Sequence, residues 1–185
     1  DPVSDPDTAK IIAGFHDKCT MMTEISAKDA AAGLLQWVEW LGDPGLAAAS
    51  ICGVISQKLI RRLCSECKDA YKPNPSLLKK IGLDPEEIQV LYRRARPASE
   101  LVEQGEEIEP CPTCNDTGYT GRVAIFELIE MSEAMRGLLA SGADLAAVRA
   151  GARAEEMLTL QKDAMRLVSD GTTSLEELQR VFKNA

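Results

Sequence analysis

This chain of 185 residues has few aromatic side chains, only 4% of the total. Its hydrophobic content is nevertheless 45% and its charged content 27%, which is typical of a globular protein and excludes a largely disordered one. The core must therefore consist mainly of Leu, Ile, Val, Ala and Met. The length fits one ordinary domain or two small ones and is sufficient to bury a core.

The sequence also lacks a surplus of positive charge. Its formal net charge is −8 at pH 7, whereas binding to a nucleic-acid backbone needs clustered Lys and Arg that displace counterions. The same charge opposes spontaneous docking on an anionic membrane. The run from Lys58 to Arg62 is the one notable basic stretch. We therefore expect no nucleic-acid partner.

Long apolar runs are absent as well. No stretch approaches the length of about 18 apolar residues that indicates a membrane-spanning helix. The start of the chain also lacks the charged and apolar regions of a secretory signal. These absences predict a cytoplasmic protein. The abrupt start at "DPVSDPDTAK" also fits a segment of a longer protein.

Six cysteines are present, and four of them form two Cys-x-x-Cys pairs. "LCSECKDAYKP" contains Cys64 and Cys67, and "PCPTCNDTGYTGR" contains Cys111 and Cys114. In a reducing compartment such pairs indicate metal ligands before disulfides, because two thiolates in a tight turn can bind one ion. Together the pairs complete a tetrahedral zinc site without an open position for water, which favours a structural metal over a catalytic one. The alternative is a redox pair, or two pairs without a metal.

Other side chains that bind metals fall outside this pattern. Cys19 and Cys52 have no paired spacing, and Cys52 in "AAASICGVI" is most simply a small buried apolar residue. The single histidine, His16, has no partner at the spacing of metal ligands. We expect an exposed or helix-capping role for it.

Hydrophobic periodicity predicts a chain of helices with a few strands. The expected helices are 8–15, 28–41, 46–52, two in the segments "NPSLLKKIG" and "DPEEIQVLYRRA" between the cysteine pairs, and 132–140, 144–153, 155–170 and 174–183. The expected strands are a short buried run at "CTMMTEI", a β-like segment at "GVISQKLIRRLC", and "GYTGRVAIFELIEM" with both faces buried. The first of these runs is too short to exclude a helix.

Polar residues predict where several of these elements begin or end. Asp84, Ser132, Asp144 and Ser174 are candidate helix N-caps, and Glu177 gives Ser174 the spacing of a capping box. The stretch "EQGEEIEP" is expected to be a solvated loop. A tight turn is expected after the second cysteine pair, at Asn115, Asp116 and Gly118.

Three segments, taken in order, resemble the C-terminal portion of the type II secretion and type IV pilus assembly ATPases. They are "GVISQKLIRRLCSECKDAY", "CPTCNDTGYTGRVAIFELIEMSE" and "GTTSLEELQRVF". The similarity covers residues 44–185 closely. Before them, "DPDTAK" resembles more loosely the segment that follows the Walker B strand of this family, and "TEISAKDAA" its histidine box.

This resemblance implies an α/β fold: a partial RecA-like (P-loop NTPase) core with an inserted tetracysteine zinc subdomain and a C-terminal helical bundle. It implies three segments, namely the second half of the core at 1–63, a zinc-binding subdomain with a helical insertion at 64–118, and a strand plus C-terminal helices at 119–185. Zinc would bind Cys64, Cys67, Cys111 and Cys114. The implied partners are like subunits in a hexamer and an inner-membrane platform or adaptor protein, at the inner face of the cytoplasmic membrane.

The resemblance also places three side chains of one strand, Gln57, Arg61 and Arg62, near a nucleotide and a subunit border. A solvated strand edge is the alternative interpretation.

The chain departs from the family at its nucleotide motifs. No G-x-x-x-x-G-K-[ST] occurs, so no P-loop cradles phosphates. The Walker B Glu would fall at Pro2 and a nearby Arg at Ser4, while the His and a following Arg of the histidine box align with Ser26 and Gln36. Because phosphoryl transfer needs such groups to stabilise charge, we expect ATP and Mg²⁺ only in a full-length parent.

Two functions stay open at this stage. The chain is either the zinc-bearing part of a secretion or pilus motor, or a non-catalytic module derived from one that docks partner proteins. A nucleic-acid-binding zinc ribbon is disfavoured by the acidic charge and by the lack of interleaved aromatic and basic residues near the cysteines.

Overall fold

A computed structural model describes residues 2–97 and 109–183 of the chain. Helices and strands are mixed, as expected for an α/β protein. In chain order the elements are α1 (Pro6–Ala13), α2 (Ala30–Leu41), α3 (Pro44–Ser50), β1 (Gly53–Leu63), β2 (Asp69–Tyr71), α4 (Pro75–Ile81), β3 (Leu91–Arg93), β4 (Tyr119–Glu130), α5 (Glu133–Ala140), α6 (Leu145–Ala154), α7 (Leu160–Ser169) and α8 (Leu175–Lys183). No helix among the described residues is long and apolar enough to span a bilayer. The predicted loop "EQGEEIEP" lies, up to residue 108, outside the described residues.

The chain divides into two compact units. The first comprises Asp1–Gln57 and Phe126–Leu160, and the second comprises Lys58–Ile125 and Gln161–Ala185. The assignment of residues 1–63, 64–118 and 119–185 to three segments stays a prediction.

The strands form two small sheets, β1 with β4 and β2 with β3. β2 and β3 are antiparallel, with Ala70 opposite Tyr92. β1 and β4 are also antiparallel, because the Met131 N–H donates to the Cys52 carbonyl at one end of the pair and the Cys64 N–H donates to the Gly118 carbonyl at the other.

Side-chain caps define most of the helix starts. The predicted caps Ser132, Asp144 and Ser174 are confirmed, because each side-chain oxygen accepts the backbone N–H three residues on. Asp29 begins α2 in the same way, and Gly42 ends it in the left-handed conformation at φ 66°.

Small and aliphatic side chains form the core of the first unit, as the scarcity of aromatics predicts. Leu34, Ala9 and Ala47 are completely buried there, and Trp37 is the one aromatic residue of the buried cluster. The cluster consists of Val3, Ala9, Ala13, Ala30, Ala31, Leu34, Trp37, Leu41, Ala47, Ala48, Ile129, Met131, Met135, Leu139, Val148 and Ala152.

The predicted buried strand at residues 19–25 is wrong. Met22 is 95% exposed, and among the described residues no strand pairs with this segment. The Val3 N–H donates to the Glu24 carbonyl at 2.8 Å, but one backbone bond does not make a ladder. An apolar run becomes a strand only where a neighbour accepts its backbone groups along its length.

The predicted helix starting at Asp84 is wrong beyond its first turn. The Ile88 N–H does donate to the Asp84 carbonyl at 2.9 Å, but the next residues form β3. Leu91 is completely buried, and the strand pairs with β2. Burial and strand pairing outweigh the weak helix propensity of the stretch.

Two further expectations need correction. β4 is not buried on both faces, because Tyr119, Ile125 and Ile129 are buried while Phe126 on the opposite face is exposed. The helix expected from residue 155 begins only at Leu160, because Glu156 has a left-handed φ of 54° that a helix does not accept.

A buried carboxylate distinguishes the second unit. Glu177 on α8 is 0% exposed. Its oxygens accept the Arg61 backbone N–H at 2.9 Å, the Arg61 Nε–H at 2.8 Å and the Arg180 Nη2–H at 2.6 Å. Burial alone would raise the pKa of Glu177, but the hydrogen bonds from Arg180 and Arg61 outweigh it and lower the pKa to about 2.

Gly42 and Gly171 give a matched pair for testing the packing of the second unit. Both have φ 66°, but a Cβ at Gly42 meets nothing within 4 Å, whereas a Cβ at Gly171 would lie 2.5 Å from Cδ2 of Tyr92. We expect Gly42→Ala to lower the free energy of unfolding by about 1–2 kcal/mol through backbone strain, and Gly171→Ala to lower it by about 1–3 kcal/mol more through the clash. Chemical denaturation measures both, and equal losses would contradict the close contact of Gly171 with the ring.

The depressed pKa of Glu177 predicts an acid-sensitive contribution to stability. This contribution to the free energy of unfolding is fully present above the ordinary pKa of 4.5 and is lost as the pH falls toward 2. It amounts to about 2 kcal/mol, because solvent screens the exposed ends of the two arginines. Denaturation curves from pH 6 to pH 3 should therefore show a steeper loss for the wild type than for Glu177→Gln. Glu176→Gln is the control, because that neighbouring carboxylate is 58% exposed and pairs with Arg94 at 3.9 Å. Parallel loss in the wild type and Glu177→Gln would refute the assignment.

Candidate metal centre

The four paired cysteines lie together in the second unit. The Sγ atoms of Cys64 and Cys111 are 3.9 Å apart, and those of Cys67 and Cys114 are 3.6 Å apart. All four sulfur atoms lie within 4.8 Å of one another. Each of the two measured contacts joins one pair to the other, so the pairs interlock at one point.

These distances fit a tetrahedral ion. Four sulfurs at about 2.3 Å from one zinc ion lie about 3.8 Å from each other. The observed spacing is close to that value and well beyond the S–S bond length of about 2.05 Å in a disulfide. All six cysteines are free thiols. The donor set is therefore one that can hold a metal ion.

The second cysteine pair is shaped by a run of left-handed residues. Asn115, Asp116 and Gly118 have φ of 49°, 64° and 73°, which confirms the tight turn predicted there. The Asp116 carboxylate accepts the Cys111 N–H at 3.1 Å, and the Gly118 N–H donates to the Cys114 sulfur at 3.3 Å. The first bond holds the backbone of Cys111 and the second holds the Cys114 sulfur itself.

The first cysteine pair follows directly from β1. Cys64 is completely buried, and its carbonyl accepts the Lys68 N–H at 3.1 Å, which closes the turn around the pair. The Cys64 N–H donates to the Gly118 carbonyl at 3.0 Å. This backbone bond ties the start of the first pair to the end of the second.

The thiols of the cluster differ in acidity. Burial raises the pKa of Cys67, and hydrogen bonds to Cys114, Cys64 and Cys111 add to the rise. The backbone N–H groups of Cys114 and Thr113 lower the pKa of Cys111 to about 7. Cys111 therefore ionises more readily than Cys67, and binding of a metal would displace the protons that the ligand thiols still carry.

The other cysteines and the histidine take no part in the cluster. Cys19 is exposed, and so is Cys52, contrary to its predicted burial. Cys52 lies in the link between α3 and β1, where its carbonyl, rather than its side chain, makes the interaction with Met131. His16 is exposed and its Nδ1 lies 2.8 Å from the Ala13 carbonyl at the end of α1, which confirms its predicted role.

The three predicted nucleotide-adjacent residues all lie on β1. Gln57 and Arg62 are exposed, and their place near a nucleotide stays a prediction. Arg61 has a different, intramolecular partner: it pairs with Glu177 at 2.6 Å, and its guanidinium lies 4.0 Å from the centre of the Tyr119 ring.

Sequence reasoning missed two residues beside the cluster. It assigned Glu177 only a capping role, and it did not single out Lys68, whose Nζ donates to the Gly171 carbonyl at 2.9 Å and lies 4.3 Å from the centre of the Tyr92 ring. The position of Lys68 directly after a Cys-x-x-Cys pair is the signal that was available. The spacing of Arg180, three residues after Glu177, indicates one of its partners, whereas no local pattern indicates Arg61.

Comparison with known proteins places this chain in a family. Residues 3–180 match the family model described as type II/IV secretion system protein. The chain is 32% identical over 180 residues to the type IV pilus assembly ATPase PilB of Thermus thermophilus, covering 95% of the chain and 19% of that protein.

Similar matches come from the secretion branch. Identity is 30% over 165 residues to the type II secretion system protein HxcR of Pseudomonas aeruginosa, covering 89% of the chain and 29% of that protein. It is 29% over 184 residues to the type II secretion system ATPase E of Vibrio cholerae, with 99% and 34% covered. The chain thus spans about a fifth to a third of the length of these relatives. It belongs to the family of type II/IV secretion system proteins.

Proposed function

We propose that this chain is the zinc-stabilised C-terminal part of a motor ATPase that powers type II protein secretion or type IV pilus assembly. The observation that carries the proposal is the family match over residues 3–180, combined with four cysteine sulfurs that converge within 4.8 Å. The relatives of both branches are named as ATPases or secretion system proteins. Under this proposal the first unit derives from a RecA-like core, and the cysteine cluster organises a zinc subdomain.

Zinc is the metal that this donor set favours. Four thiolates in tetrahedral arrangement are the ligands of structural Zn²⁺, and they leave no position for a reactive water. When bound, the ion would supply a permanent positive charge at the centre of the cluster. The role of Cys64, Cys67, Cys111 and Cys114 is to hold two distant stretches of chain together.

The chain by itself is not expected to hydrolyse ATP. Its sequence contains no P-loop lysine, and Ser26 and Gln36 stand where the resemblance leads one to expect His and Arg. Without these groups nothing in the sequence supplies the charge stabilisation that phosphoryl transfer requires. ATP and Mg²⁺ would bind to the complete motor, a hexamer of like subunits.

The helical insertion at residues 74–96 is proposed as the docking surface for an inner-membrane platform or adaptor protein. It carries α4 and β3, and exposes the large apolar side chains Leu77 and Val90. Burying these two side chains against a partner would remove apolar surface from water, which favours association. Such docking would hold the motor at the inner face of the cytoplasmic membrane.

Replacing one ligand should remove the metal. We expect native mass spectrometry to find one zinc ion per wild-type chain and none per Cys111→Ser chain, together with a lower melting temperature, because the binding energy of a structural metal is folding energy. Cys52→Ser is the matched control, since Cys52 is exposed and outside the cluster. An unchanged melting temperature in Cys111→Ser would contradict the structural role of the metal.

Spectra of the wild-type chain recorded with Mg-ATP should show no nucleotide adduct. A hexamer with bound nucleotide would contradict the prediction that the chain, with Ser26 and Gln36 in place of His and Arg, does not bind nucleotide by itself.

The cellular role is tested by allele replacement in the organism that carries the gene. We expect the Cys111→Ser allele to abolish secretion of exported proteins or assembly of surface pili, and the Cys52→Ser allele to retain it. Immunoblots of culture medium and electron microscopy of pili measure the two outcomes and separate the two branches. Normal secretion and normal pili in the Cys111→Ser strain would refute the proposed function.

A further inference from the structure

The segment Gly171–Glu177, which links α7 to α8 and includes the first turn of α8, reaches the bases of both cysteine pairs. The Leu63 N–H, immediately before Cys64, donates to the Thr172 carbonyl at 2.9 Å. The Lys68 Nζ, immediately after Cys67, donates to the Gly171 carbonyl at 2.9 Å. The first cysteine pair is therefore flanked on both sides by bonds to this one segment.

The same segment also holds the strands that lead into the pairs. The buried Thr173 hydroxyl donates to the Arg61 carbonyl at 2.8 Å. The Ser174 hydroxyl lies 3.1 Å from the hydroxyl of Tyr119, which follows Gly118, the residue that donates to the Cys114 sulfur. Contacts thus extend from this segment to the second cysteine pair as well.

Glu177 connects these contacts. Its carboxylate holds Arg61 through the backbone N–H, Nε and Nη2, and the Arg61 guanidinium stacks over the Tyr119 ring at 4.0 Å. Arg61 on β1 and Tyr119 on β4 lie close to Cys64 and Cys114 along the chain. One buried carboxylate therefore holds the end of β1 directly and reaches the start of β4 through Arg61.

We propose that Glu177 is a positioning residue of the metal centre, acting through Arg61 and Tyr119 to hold the two cysteine pairs together. This inference rests on the proposed zinc site. None of these contacts uses a cysteine sulfur, so they act on the two pairs in addition to the bonds that a metal would make. A site arranged in advance binds more tightly, because less ordering accompanies binding.

Removing the charge of Glu177 should therefore weaken metal binding although every ligand is retained. The test compares wild type, Glu177→Gln and Thr173→Val. Asp163→Asn is the matched control, because Asp163 is also a buried carboxylate of the second unit and pairs with Arg166 on its own helix at 2.9 Å. Each protein is loaded with Zn²⁺ or Co²⁺, and release to a chromophoric chelator is followed in time, with the Co²⁺ thiolate absorption bands reporting the ligand geometry.

We expect Glu177→Gln to release the metal about 10-fold faster or more, and Thr173→Val to show a smaller change of the same sign. Asp163→Asn should release it at the wild-type rate even where its melting temperature falls as far as that of Glu177→Gln. The inference is overturned if Glu177→Gln retains the wild-type rate, or if its rate matches that of Asp163→Asn at equal melting temperature. If the wild-type protein itself contains no metal, the proposed zinc site is wrong. That result is distinct from the others and would overturn the zinc site and the positioning role of Glu177 together.

Discussion

Four sulfur atoms crowded into one small volume set the main physical constraint on the second unit. Two thiolates about 4 Å apart repel each other by about 4 kcal/mol in a typical protein environment. Four of them can be ionised together only around a cation. The pair distances of 3.6 and 3.9 Å match the spacing of sulfurs around one such ion. Because the pairs come from distant parts of the chain, the ends of β1 and β4 and the turns beyond them depend on how this charge is balanced.

The neighbourhood of the cluster shows a second solution to the same problem of buried charge. Glu177 is fully buried, which is tolerated because two arginines and a backbone N–H satisfy its oxygens. A buried ion pair of this kind can determine the geometry of a fold even where its net contribution to the free energy of unfolding is small. Its geometry specifies one arrangement of α8 against β1, whereas apolar contacts alone would allow the helix to slide.

Local chemistry made part of this structure predictable. The cysteine spacing indicated the cluster, and the caps at Ser132, Asp144 and Ser174 were correct because a cap depends on residues three positions apart. Two predictions failed because they depended on distant partners: residues 19–25 have no neighbouring strand among the described residues, and β3 formed because β2 lay beside it. Glu177 was identified only as half of a capping box, since its partner Arg61 is 116 positions away and no pattern within a short window contains both.

The interlocking of the two cysteine pairs has an evolutionary consequence. Both ends of the intervening stretch are fixed at one point, where sulfurs 47 positions apart in sequence lie 3.9 Å from each other. The entropy of closing such a loop rises only with the logarithm of its length, about 0.6 kcal/mol for each doubling. Its surface turns can therefore gain or lose residues at small energetic cost, whereas the buried Leu91 and the pairing of β3 with β2 restrict exchange within the strands. A family with this arrangement can adapt one surface to new binding partners without redesigning the body that carries it.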